Sequence, residues 1–240
     1  MPELLELVLH AHGGLERWLQ MQAIDVRLSI LGSLYELKGF PEGLPGVAAR
    51  LDTTRPAVTI LPYLIPNARG RFTPERVWIE GADGEIVDER SSPRQSFAQH
   101  GLRTPWDQLQ RLYFTGYTVW NALAIPFLLA SSRMRCEEIE EHRENGDTWR
   151  RLRVTFPPEV PTHSTEQTLY FDQEGRLRRL DYTIDIAGAT VAHYCDGHAT
   201  VSGLLFPTSH RVVRRSSAGL QVSKPADVLL QLQFYNFAVW

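Results

Sequence analysis

The chain has 240 residues, 43% of them hydrophobic and 22% charged, and a formal net charge of −3. Such values suit one globular domain over residues 1–240 with a substantial core, and they supply no general electrostatic attraction to nucleic acid or to an anionic membrane. Lys occurs only at Lys38 and Lys224, so nearly all positive charge rests on Arg; carboxylate or phosphate recognition and a GC-rich coding bias both account for that.

In chain order, Pro2 suits a first helical turn, and Leu4, Leu5, Val8, Leu15, Trp18 and Leu19 form a helical stripe interrupted at Gly13-Gly14, which predicts two short helices. From Ile24 the period becomes two: Ile24, Val26, Leu28 and Ile30 alternate with polar residues, as in a strand with one wet face. Further strands are expected at Ser33–Gly39, Val47–Thr54, Ala57–Tyr63, Arg76–Gly81 and Glu85–Glu89, separated by Pro/Gly turns. Pro56, Pro62 and Pro66 place their stretch on an edge or rim.

Thr104-Pro105-Trp106-Asp107 reads as a capped helix start. Trp106, Leu109, Tyr113, Tyr117 and Trp120 then recur at helical spacing, predicting a helix over 105–130 that Pro126 kinks or ends. After Ser132 the chain is strands again. Asn145-Gly146 is a two-residue hairpin signal joining Arg135–Glu144 to Thr148–Phe156. Asp172–Gly175 and Ala187-Gly188 join Glu166–Phe171, Leu177–Ile186 and Thr190–Asp196. A last group follows at Ala199–Leu205, Thr208–Ser216 and Val228–Trp240, with Ala218-Gly219 in a loop. Nine to twelve strands in a mainly β (α+β) fold are expected.

That order of elements resembles the lipoprotein-carrier (LolA-like) fold. The likeness is carried by His12-Gly13-Gly14-Leu15-Glu16-Arg17-Trp18 with its following strand, and by the meander Leu169-Tyr170-Phe171-Asp172 to Gly175-Arg176-Leu177-Arg178-Arg179-Leu180-Asp181-Tyr182. The same segment looks like that of uncharacterised bacterial proteins of similar length. The resemblance implies a strongly curved antiparallel half-barrel sheet plugged by N-terminal and central helices, with a concave face able to hold a hydrophobic molecule. The opening Met1-Pro2-Glu3-Leu4-Leu5-Glu6 carries acid where an export signal carries base. With Cys136 and Cys195 expected as free thiols, this gives a cytoplasmic expectation. The nearly apolar run Val119–Ala130 contains Asn121 and Pro126 and is too short to span a bilayer of about 30 Å.

No phosphate loop, nucleophile elbow, His-Glu-x-x-His or Cys-x-x-Cys motif occurs, and no cofactor is implied. The densest titratable set is in the meander. On Leu177–Ile186, Arg179, Asp181, Thr183 and Asp185 share one face, while Leu180, Tyr182, Ile184 and Ile186 share the other. A tight turn at Ala187-Gly188 sets His193 opposite Asp181 to within one residue, and the preceding hairpin brings His163 and Glu166 near Asp185 and Asp181. His163, Glu166, Asp181, Asp185 and His193, with Tyr182 and Tyr194 as proton donors, form an acid–base patch able to run isomerisation, cyclisation, dehydration or hydrolysis on an apolar substrate. The competing reading is a solvated face whose charges pair across strands. His163, Asp181, Asp185 and His193 are also a conceivable ligand set, although no spacing singles out a metal and none is assigned. The remaining histidines, His10, His12, His100, His142, His198 and His210, read as isolated.

Trp78, Trp106, Tyr113, Tyr117 and Trp120, with Tyr182 and Tyr194, are the candidate ligand-binding residues, expected to face the sheet interior as core or as a cavity wall. Binding of a small, largely hydrophobic molecule is the leading expectation, and a cofactor-independent enzyme the alternative. The sequence sets no oligomeric state.

Overall fold

Alternation of apolar and polar residues builds a thirteen-stranded antiparallel sheet in the computed structural model, which describes residues 2–215 and 228–240. The Ala218-Gly219 loop lies outside the described residues. The chain opens with α1 (Glu3–Ala11) and α2 (Leu15–Leu19) and enters β1 (Ala23–Leu31). A short α3 (Ser33–Leu37) follows, then a meander of β2 (Leu44–Asp52), β3 (Val58–Leu61), β4 (Arg69–Phe72), β5 (Arg76–Glu80) and β6 (Ile86–Ser91). After the central α4 (Gln108–Ala124) come β7 (Arg135–Glu144), β8 (Asp147–Thr155), β9 (Glu166–Phe171), β10 (Leu177–Ile184) and β11 (Ala189–Asp196). A separate hairpin of β12 (Ala199–Val201) and β13 (Leu204–Phe206) precedes β14 (Ser209–Arg214) and β15 (Val228–Val239).

The strand order is β6-β5-β4-β3-β2-β1-β15-β14-β11-β10-β9-β8-β7. The last strand therefore lies between the two meanders and joins them, pairing with β1 on one side and β14 on the other. The sheet is open and curved. Ladder irregularities at Asp25/Arg27, Leu28/Ile30, Leu177/Arg179 and Val212/Val213 supply local bends and extra twist. One free edge is β7, whose sequence RCEEIEEHRE is dense in charge, and that discourages pairing with another strand.

Three expectations are corrected. Ser33–Gly39 is a helix and not a strand, because the adjacent Leu34 and Tyr35 are both fully buried, which neighbours on opposite faces of a half-wet strand do not achieve. β4 was concealed by its low-propensity Arg-Gly-Arg-Phe sequence, and Ala199–Leu205 folds back on itself as the β12–β13 hairpin, so the strands exceed twelve. The central helix is capped by Asp107 and not Thr104. Its carboxylate accepts the Gln110 N–H at 2.8 Å, and the Gln110 side chain accepts the Asp107 N–H at 3.0 Å. Thr104 is held elsewhere: its hydroxyl accepts the Gly101 N–H, and its carbonyl, with that of Gly101, accepts from the buried Lys38 ammonium. The helix ends at Ala124, two residues before Pro126.

The helix is enclosed on every side. From Leu109 to Ala124 only Ala122 is not buried, as a helix surrounded by protein requires. It packs on β3, β4 and β5 and on the 3₁₀ turn Pro93–Phe97. Several of its polar side chains are answered internally. Arg111 donates to Glu42 at 3.0 Å and lies over the Phe40 ring, Thr115 bonds Tyr35 at 2.6 Å, and the Asn121 amide donates to the Tyr117 and Pro161 carbonyls. Closest approach is made possible by two glycines. A Cβ on Gly116 would stand 2.3 Å from the Phe72 ring, and one on Gly70 would stand 2.6 Å from Leu112.

Gly116→Ala is expected to destabilise by about 1–3 kcal/mol through overpacking, although Gly to Ala inside a helix ordinarily stabilises. Gly101→Ala, where a Cβ meets nothing within 4 Å, is the control and should leave the denaturation midpoint nearly unchanged. Equal midpoints for the two variants would show that the helix does not need this contact.

Candidate functional site

The register of β10 divides the meander residues between two faces. His193 pairs with Leu180, and Asp181 pairs with Ala192. The expected His193–Asp181 opposition is thus off by one residue, and one residue exchanges the faces. His163, Tyr182 and His193 point inward, while Arg179, Asp181, Tyr170 and Tyr194 are joined on the outside. Glu166 stands exposed at the start of β9 opposite Thr155, and Asp185 is half-exposed beyond β10, 3.4 Å from Arg94. The five acid–base candidates do not form one patch.

Inside, a polar chain runs through the apolar core. His163 stacks on Tyr182 with ring centroids 4.3 Å apart. The Tyr182 hydroxyl is 2.9 Å from His193 Nδ1, His193 Nε2 is 2.9 Å from His210 Nδ1, and His210 Nε2 is 3.1 Å from the Pro207 carbonyl. A carbonyl only accepts, so in neutral rings the protons are ordered: His210 Nε2–H donates to Pro207, His193 Nε2–H to His210, and Tyr182 O–H to His193. The Cys195 thiol joins at 3.6 Å from His210 Nδ1. Burial holds these groups uncharged. It pushes His163 down to about 3, with Arg94 adding to the effect, and His210 down to about 4 against the pull of the Pro207 carbonyl. Burial likewise drives His193 well below 6.5, with His210 and His163 adding to it, and lifts the Tyr182 phenol and the Cys195 thiol.

Thr118, Asn121 and His163 meet His193, Cys195 and His210 around a cavity of about 20 Å³, room for roughly one water molecule. Of these lining residues, Thr118 Oγ1, Asn121 Oδ1 and His163 Nδ1 are buried without a hydrogen-bond partner among the described residues. His210, which reads as isolated in the sequence, is part of this group; the i, i+2 pair His193 and Cys195 on one strand face was the available signal.

Outside, Arg179 donates to both oxygens of Asp181 at 2.6 and 2.9 Å and also contacts Glu144. Tyr170, Arg215 and Tyr194 complete this network, with Tyr170 and Arg215 on Asp181 and Tyr194 on Glu144. It is nearly sealed by a second apolar cluster of Trp149, Tyr170, Ala192, Tyr194 and Val213. Buried charges persist only when paired in this way.

Of the candidate aromatic residues, Trp106, Tyr113, Tyr117 and Trp120 lie inside and are almost completely buried. Trp78 does not join them. It faces the other side of β5, in a cross-strand row with Arg71, Thr59 and Arg50, its indole donating to Glu80. Tyr194 is likewise outside. Among the described residues, side chains occupy much of the space between helix and sheet, beside the small cavity. The larger spaces are at the surface. One of about 590 Å³ opens between the turn at Pro74-Glu75, Ser92 with the following 3₁₀ turn, and the loop from Phe156 to Thr165. Tyr113 of α4 is part of its lining, Pro157, Pro158, Val160 and Pro161 make an apolar wall, and Arg94 reaches in from the 3₁₀ turn. Arg94 is fixed by the Thr162 carbonyl at 2.9 Å and stands beside Tyr113, whose phenol burial raises and Arg94 pulls back.

An open, curved antiparallel sheet wrapped around a central helix defines a LolA-like half-barrel. Two of the solved structures it is similar to, those from Desulfovibrio piger and Vibrio parahaemolyticus, agree in fold. A DUF1329 family protein from Desulfovibrio piger aligns with a TM-score of 0.54 at 10% identity over 98% of this chain and 90% of its own. A putative outer membrane lipoprotein-sorting protein domain from Vibrio parahaemolyticus aligns at 0.52 and 10% identity over 98% and 91%. A LolA superfamily protein from Nitrosomonas europaea aligns at 0.48 and 10% over 93% and 90%. No known family profile and no curated protein sequence matches the chain. The cytoplasmic expectation is corrected by the Vibrio neighbour, whose name places it with outer membrane lipoprotein sorting and so points away from the cytoplasm. Among the described residues no helix is long and apolar enough to cross a membrane, and both cysteines are free thiols.

The buried imidazoles make stability depend on pH with a definite sign. His12 is held down to about 4 and His163 to about 3, chiefly by burial. In the unfolded chain both titrate near 6.5. Between those values the unfolded state binds more protons, so stability is level above about pH 7 and falls as pH drops from 6.5 toward 4. Each such histidine should cost roughly 2 kcal/mol at pH 5 relative to pH 7. In urea unfolding at the two pH values, His163→Phe should narrow the difference by about that amount. An unchanged difference would show that His163 titrates as freely in the folded protein as in the unfolded chain.

Proposed function

We propose that the protein binds a small, largely hydrophobic molecule, seated in the surface cleft beside the Phe156–Thr165 loop and not deep between helix and sheet. The observation that carries this reading is the cleft itself: about 590 Å³, walled by Pro157, Pro158, Val160 and Pro161, with one fixed cation, Arg94. That volume lies within the usual range of about 300–1,000 Å³ for small-molecule sites, which combine an apolar wall with a few placed polar groups. Arg94 suits a ligand ending in a carboxylate, phosphate or carbonyl. The likeness in fold to the Vibrio parahaemolyticus lipoprotein-sorting domain supports the same class of ligand. Fold alone does not choose between carrier and enzyme. The buried state of His163 and His193 favours binding over catalysis, since a substrate in the cleft would not touch them.

Val160 is half-buried on the cleft wall, and Val160→Trp would fill the space without entering the core. Native mass spectrometry of freshly purified protein should detect an apolar adduct. The variant should lose it, and should bind a fluorescent fatty-acid probe about tenfold more weakly, or about 1.4 kcal/mol, at an unchanged melting temperature. Equal probe affinity in the two proteins would remove the cleft from consideration.

A further inference from the structure

The grouping of His193, Cys195 and His210 is unused by the cleft-binding function. Their donor atoms, two imidazole nitrogens and one sulfur, all lie within 4.8 Å of one another, and all three residues are buried. The sheet produces the grouping directly. His193 and Cys195 are two apart on β11 and share its inner face, while His210 pairs across with Cys195 on β14. We propose that these three residues bind one divalent metal ion of the zinc class, with a water molecule in the adjoining cavity as its fourth ligand.

The spacing fits. A tetrahedral zinc with Zn–N of about 2.0–2.1 Å and Zn–S of about 2.3 Å needs N···S separations of about 3.6 Å and an N···N separation of about 3.3 Å. Here His210 Nδ1 and Cys195 Sγ are 3.6 Å apart, and the two nitrogens are 2.9 Å apart. The third separation, His193 to Cys195, lies within 4.8 Å, so closing the triangle around the ion takes side-chain movements of up to about an ångström. The surroundings of the ligands are arranged already. His210 donates its other ring proton to the Pro207 carbonyl, the outer hydrogen bond that orients a metal-ligating imidazole and fixes its tautomer. His193 has the Tyr182 oxygen at its Nδ1, ready to accept a proton there.

The second, independent observation is the cavity. It is lined by the three donors and by Thr118, Asn121 and His163, each with a buried polar atom that has no partner. Orphaned polar atoms at this burial cost on the order of 1–3 kcal/mol each. The metal-bound water proposed here would lie among these three residues. Three protein ligands with water in the fourth position is the composition of an open zinc site.

The protons balance. The Cys195 S–H bond breaks and its proton leaves to solvent, since the thiolate is the ligand. The His193 ring proton moves from Nε2 to Nδ1, where it is donated to the Tyr182 oxygen. His210 keeps its tautomer. Net release is one proton per ion.

The test refolds the whole chain from denaturant with Co(II) or with Zn(II), so that burial cannot block entry. The expected result is one ion per chain, release of about one proton in weak buffer, strong visible bands of tetrahedral cobalt and a near-ultraviolet thiolate-to-cobalt band. Cys195→Ser should abolish the thiolate band and weaken binding at least tenfold, whereas Cys136→Ser should change neither. If Cys195→Ser does not fold, X-ray absorption of the zinc-loaded wild type decides: one sulfur and two imidazoles in the shell support the site, and a shell without sulfur overturns it. Failure of the refolded wild type to retain an ion, or a thiolate band that survives Cys195→Ser, also overturns it.

Discussion

The contact on which the structure depends is the seating of α4 against β4, where Gly116 receives Phe72 and Gly70 receives Leu112. A helix that carries Trp120, Tyr113, Phe114 and Tyr117 on several sides cannot lie on a flat sheet with one side wet; it has to be wrapped. The sheet bends around it through its bulges, and β15 unites the two meanders into one surface. Close seating then fills the concavity with protein side chains. The central helix is the filling of the concave face, and the larger spaces lie at the surface.

Face parity sorts the titratable residues into two regimes. On the outer face, Arg179, Asp181 and Glu144 each sit beside a group of opposite formal charge and a tyrosine hydroxyl. On the inner face, the histidines have no carboxylate in their hydrogen-bonded chain and stay neutral. Desolvation and pairing therefore act on the same two strands in opposite directions. Had β10 and β11 been paired one residue differently, His193 would have met Asp181 and the interior would have lost its imidazole chain.

Much of this was legible in the sequence. The period-two runs predicted most strands, and Asn145-Gly146 announced its hairpin because both residues adopt the positive φ that such a turn demands. The aromatic spacing predicted the central helix. Of the candidate site, His163 and His193 were expected to meet Asp181 and Asp185, but the register sets them beside Tyr182 on the inner face instead. His210 was not linked to them in the sequence, since it lies on a strand that pairs with β11 only in space, 15 residues from Cys195 in the chain. Trp78 pointed the other way because Val77 and Ile79 took the inner positions of β5.

The sequence by itself determined the local pieces: which segments are strands, where hairpins turn, and that one helix is too apolar to remain on a surface. These follow from short-range chemistry, namely side-chain period, turn residues and proline. The tertiary structure alone decided register, and with it which side chains meet. Alternation tells that two faces exist, but the choice of partner for each face shifts with a single bulged residue. The His193, Cys195 and His210 grouping, the orphaned atoms beside it and the surface cleft lined by the Phe156–Thr165 loop arise only once β11 pairs with β14 and the sheet has curled around α4.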